Sequence, residues 1–123
     1  MRFVIALLFS ASIASAHEMV PTYPAWWPAT EANGVLKTNL FIWNRREDVS
    51  YYEIEVFDRN FRPRPFATQE KIMKINYLQR KSFSVYIKRE DRSEVTYICT
   101  KSRLLKEDVQ TSGVSSRICS KIK

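Results

Sequence analysis

Ser50-Tyr51-Tyr52-Glu53-Ile54-Glu55-Val56-Phe57 is the stretch that decides the fold class. Tyr52, Ile54 and Val56 point one way and Glu53 and Glu55 the other, which is the period-two pattern of a strand with one buried and one wet face. The same pattern returns downstream, where Phe83, Val85 and Ile87 alternate with Ser82, Ser84, Tyr86 and Lys88. Short apolar, β-branched and aromatic runs separated by charged or proline-containing turns continue through the chain and predict strands over residues 19–24, 35–43, 50–57, 71–78, 82–88, 94–100 and 114–122. Seven short strands with half-buried alternation predict an all-β, seven-stranded, immunoglobulin-like antiparallel sandwich.

The breaks between these runs are equally legible. A proline- and tryptophan-rich connection, Pro24-Ala25-Trp26-Trp27-Pro28, follows the first strand, and polar turns fall at residues 44–48 and 89–92. Prolines 63 and 65 break the loop over residues 59–65, and residues 102–112 form the one long interruption, read as a loop or a helical turn around Leu104 to Lys106. The tryptophan pair either caps the sandwich or anchors an interface.

At the amino end, Arg2 precedes the apolar run Phe3 to Phe9, and Ala14-Ser15-Ala16 supplies small residues three and one positions before a cleavage point. This is the pattern of a secretory signal peptide over residues 1–16, with a run too short to span a bilayer. An uncleaved amino-terminal anchor is the alternative. Cleavage predicts one domain over residues 17–123, a periplasmic or secreted location and no stable membrane insertion after processing. Loss of Arg2 takes the formal charge from +7 to +6, with basic and acidic residues interspersed as on a solvated surface of cationic bias. Cys99 and Cys119, the only two cysteines, are expected to pair in an oxidising compartment. Free buried thiols or a soft metal site are the alternatives, and neither has supporting histidine or cysteine nearby. Tyr97, two residues before Cys99, has the spacing of the tyrosine corner in immunoglobulin-type sandwiches.

Several stretches resemble the amino-terminal domain of the PapD-like periplasmic pilus-assembly chaperones. Asn44-Arg45-Arg46-Glu47-Asp48 followed by residues 51–58 resembles their turn and strand, and Pro65-Phe66 leading to residues 71–84 resembles their proline-phenylalanine segment. Asp91-Arg92-Ser93-Glu94-Val95-Thr96-Tyr97 and Ser116-Arg117-Ile118 are similar to two further family runs. The resemblance implies a seven-stranded sandwich whose edge lends a strand to a partner, and a disulfide joining the last two strands, as in a long-loop branch of the family. Partner binding would then proceed by β-strand addition, with Val114, Ile118 and Ile122 sharing one face of the last strand and Ser116 and Ser120 between them. The family's two carboxylate anchors have no counterparts here: Thr22 is followed by Tyr23 and Ile118 by Cys119, with Lys121 as the remaining substitute. A chaperone would begin a second domain after this point, so the expected unit is a single domain.

Other constellations are thinner. Arg45, Arg46, Arg59, Arg62 and Arg64, with Phe57, Phe61 and Phe66, form the densest basic and aromatic group. If the two turns share one end of the sandwich, this group meets an acidic protein first, an anionic envelope surface second and nucleic acid last, because export removes the chain from nucleic acid. His17 would become the amino terminus, where amine and imidazole together chelate copper; with one histidine in the chain, a disordered terminal residue is the expected state and no metal or other cofactor is assigned. Glu53 and Glu55 read as a wet face, and no nucleophile and histidine motif, glycine-rich phosphate loop or zinc spacing supports an enzyme. The sequence therefore points to an exported chaperone-like or adaptor domain that binds a protein, with a self-associating structural subunit and a copper-binding protein as alternatives.

Overall fold

A computed structural model describes residues 17–103 and 115–123. The described residues form eight strands: β1 (Glu18–Val20), β2 (Trp27–Pro28), β3 (Val35–Trp43), β4 (Tyr51–Phe57), β5 (Ile72–Lys74), β6 (Arg80–Lys88), β7 (Tyr97–Arg103) and β8 (Arg117–Lys121). They build two antiparallel sheets, with almost no helix among the described residues. In the first sheet β3 is central, with β6 along one edge and β1 and β2 sharing the other. The second runs β5-β4-β7-β8.

The alternation read from sequence sets the core. Leu36, Leu40 and Ile42 of β3 and Phe83, Val85 and Ile87 of β6 form one buried cluster with Tyr52, Ile54 and Val56 of β4 and Ile98 of β7, so the two sheets share a single apolar interior. Burial of such side chains, each contributing roughly 1.5–3 kcal/mol, is what holds the sheets face to face. The opposite faces are wet, and Glu53 and Glu55 form ion pairs there with Arg103 and Arg117.

The ends of the strands depart from the expected ones for local reasons. The first strand stops at Val20, because Pro21 has no N–H to continue the ladder. The connection after it contributes β2, which the sequence pattern does not anticipate. β5 ends at Lys74 because residues 76–79 turn: the Gln79 N–H donates to the Asn76 carbonyl, and Leu78 takes a φ of 62°. The expected start of the sixth strand is replaced by a 3₁₀ helix over Arg89–Glu94, which delays β7 to Tyr97 and lets it run to Arg103. The last strand is confined to Arg117–Lys121; Val114 and the segment 104–112 lie outside the described residues. Among the described residues, no helix is long and apolar enough to cross a membrane.

Candidate functional site

Strand β8 is the edge of its sheet, and its backbone alternation determines what it can offer a partner. The Ser102 N–H donates to the Ser116 carbonyl and the Ile122 N–H to the Thr96 carbonyl, so even-numbered residues of this strand bond inward to β7. Odd-numbered residues therefore turn their N–H groups outward. Two of these are covered by the chain's own amino-terminal segment, since Lys121 N–H donates to Thr22 O at 3.0 Å and Lys123 N–H to Pro24 O at 2.9 Å. The Ser120 hydroxyl adds a bond to Pro21 O at 2.7 Å. The segment that leaves β1 thus crosses from the first sheet to the second and closes the carboxyl-terminal half of the edge. Arg117 and Cys119 likewise turn their main-chain N–H groups outward, and β1 also lies against β8.

Side chains of β8 fall as the alternation predicts. Ile118 and Ile122 are half-buried against the core, with Ser120 buried between them, while Lys121 is exposed on the face that carries Cys119. Cys99 and Cys119 are paired across β7 and β8 in one disulfide, at directly opposite positions with Cα atoms 4.0 Å apart. Arg117 lies beside that bridge, with its guanidinium on the Glu55 carboxylate and over the Phe57 ring.

The arginine group is not one patch. Arg45 and Arg46 lie in the turn before β4, and Arg59, Arg62 and Arg64 lie after it, so the seven residues of that strand hold them apart by about 20 Å. Arg45 pairs with Glu18 and lies over the Trp43 ring, Arg46 pairs with Asp48, and Arg64 pairs with Asp91 and Glu94. Arg59 and Arg62 are exposed on a tight loop whose keystone is Asp58. Its Oδ1 accepts from the N–H groups of Asn60 and Arg62, which hold its carboxyl below the usual carboxylate range. Phe61, at a φ of 58°, caps that loop and stacks on Tyr97 with ring centroids 4.5 Å apart. Left-handed backbone is costly for an aromatic residue, so the stacking offsets strain. Tyr97 therefore serves as a platform for Phe61.

His17 is the largest departure from expectation: it is 1% exposed, not a disordered terminus. Its Nε2 lies 2.8 Å from Thr100 Oγ1 and 3.1 Å from the Thr100 carbonyl, and its Nδ1 lies 3.3 Å from Ser116 Oγ. A carbonyl only accepts, which puts the ring proton on Nε2. The ring also packs against Tyr52 at 4.6 Å. Burial, opposed by the Thr100 hydrogen bond and aided by the Arg46 charge, draws its pKa down to about 4. Both ring nitrogens are engaged by protein groups, and among the described residues no group of three or more histidine, cysteine or acidic side chains is placed to hold a metal. Beside it, buried Asn44 donates from Nδ2 to the carbonyls of Val49 and Ile75 and accepts at Oδ1 from the Tyr52 hydroxyl and the Arg46 N–H. Burial pushes the Tyr52 phenol up to about 12. The tryptophan pair divides: Trp26 is buried and Trp27 is 69% exposed. His17 carries no sequence signal of this role, since its partners Thr100 and Ser116 are distant along the chain, whereas three of the four partners of Asn44 lie within eight residues of it.

Among known proteins, no family model and no curated sequence matches the chain.

Proposed function

We propose that this chain is an exported, immunoglobulin-like, chaperone-like or adaptor domain that binds a protein partner by β-strand addition at β8. The observation that carries the reading is the pair of outward-turned main-chain N–H groups at Arg117 and Cys119, on an edge strand whose carboxyl-terminal half pairs with residues 22 and 24 of the same chain. Added strands take their affinity from such groups. The order of the two sheets, the disulfide between the last two strands and the resemblance to PapD-like chaperones support the immunoglobulin-like assignment. The disulfide also suggests an oxidising compartment, in keeping with the expected signal peptide. No catalytic role is part of this reading.

Ile118 is unsuited to a test by charge, because it packs against the core. Arg117→Pro is better: it removes an outward N–H while leaving the ladder to β7, as proline is tolerated on an edge. Arg117→Ala controls for the ion pair with Glu55, worth about 0–1 kcal/mol at an exposed site. Capture of envelope proteins on the tagged, exported chain should lose its dominant partner with Arg117→Pro and keep it with Arg117→Ala. Equal capture by both removes edge addition from consideration.

A second reading, a self-associating structural subunit, is favoured by the outer face of the first sheet. Val20 and Phe41 are paired there at 50% and 52% exposure, and Trp27 of β2 lies opposite Lys37, further along β3. Light scattering after size-exclusion chromatography distinguishes the two: oligomers that grow with concentration support the subunit, and a monomer at all concentrations supports the adaptor.

A further inference from the structure

Past β8, the 3₁₀ helix Arg89–Glu94 and residues Ile122 and Lys123 frame a groove of about 440 Å³. Its apolar wall is Trp26, Val95 and Ile122; the charged side chains at its rim are Arg89, Arg92 and Lys123, with Glu90 beside them. The helix's other two acids, Asp91 and Glu94, are turned away from it. Arg64, on another loop, takes both Asp91 and Glu94, whereas none of Arg89, Arg92 and Lys123 has an ion-pair partner among the described residues. The rim is anchored through its backbone, since Arg89 N–H donates to Gly34 O, Ile122 N–H to Thr96 O and Lys123 N–H to Pro24 O. Trp26, although 7% exposed, has its indole Nε1 buried with no hydrogen-bond partner among the described residues, which is uncommon for a buried donor.

From this combination we infer that the groove is a binding site for an acidic peptide segment, its carboxylates held by Arg89, Arg92 and Lys123 and its apolar side chains lying against Trp26, Val95 and Ile122. Cations without ion-pair partners beside an apolar wall suit a ligand that alternates carboxylate and hydrocarbon. A small inorganic anion would use the rim and leave the wall empty. The site does not depend on strand addition, because none of its lining residues is Arg117 or Cys119.

The test is an NMR titration of the ¹⁵N-labelled protein, expressed from its full sequence, with a blocked hexapeptide alternating glutamate and leucine. Two further arms use the same peptide with glutamine for glutamate, and inorganic phosphate. The inference expects saturable shifts confined to residues 89–96, 122 and 123 and the Trp26 indole, binding at least about tenfold weaker for the glutamine peptide and for phosphate, and a similar loss in Arg89→Gln/Arg92→Gln. Both substituted side chains are exposed, and retention of the remaining amide spectrum establishes that the variant is folded. Arg117→Pro should bind the peptide normally, so failure here and failure of edge addition are separable. No binding, equal binding of the glutamine peptide, phosphate binding as tight as the acidic peptide, or shifts centred elsewhere would each overturn the assignment.

Discussion

His17 and Asn44 sit at the heart of a small polar network inside an otherwise apolar interior, and each makes a measurable commitment. The fold holds the His17 imidazole neutral down to about pH 4, whereas the unfolded chain takes up that proton near 6.5. Between these values the unfolded state binds more protons, so stability is fully present above pH 6.5 and falls as the pH drops towards 4, by up to about 3 kcal/mol. Urea midpoints measured across this range should show that slope, and His17→Gln should flatten it. As the only histidine in the chain, His17 also has an unambiguous ring-proton resonance, which should not titrate above pH 5. Asn44 satisfies two carbonyls, a phenol and an amide at 0% exposure, so Asn44→Ala leaves several buried groups unpartnered. The expected cost is on the order of 3 kcal/mol, read as a lowered denaturation midpoint with an unchanged spectrum of the folded state.

Strands β3, β4 and β6 were legible because each carries its own evidence: alternation over seven to nine residues survives whatever packs against it. The short elements have no such internal signature. β2 is two residues long and exists only because Trp27 and Pro28 lie opposite Lys37 and Leu36. The burial of His17 is set by Thr100, 83 positions away, so the residue nearest the expected cleavage point read as a loose end. The arginine group failed as a single patch for a topological reason, since its two halves flank β4 rather than share a turn. At β8 the sequence showed which side chains face inward but not that residues 22 and 24 would occupy half of its outer edge. The bridge between β7 and β8 ties that edge to the sheet across a sequence separation of 20. Removing it in Cys99→Ala/Cys119→Ala should destabilise the protein by about 3 kcal/mol, measured by denaturant unfolding, and should loosen β8 before the rest.

Taken as one body, the molecule carries three distinct surfaces: an exposed apolar face on the first sheet, the β8 edge of the second, and a cationic groove beyond the end of that edge. An exported binding protein of this design would use the edge for main-chain pairing and keep the groove for acidic side chains, with the apolar face governing self-association. The account turns on the edge. Hydrogen exchange of the backbone amides of β8, followed residue by residue in the free protein, tests it most directly. The prediction is rapid exchange at Arg117 and Cys119, slow exchange at Ile118 and Ser120, which bond to β7, and protection at Lys121 through Thr22, with the first two slowing once a partner is captured. Protection of Arg117 and Cys119 in the free protein, matching that of Ile118 and Ser120, would mean that the edge is already closed and would contradict strand addition there.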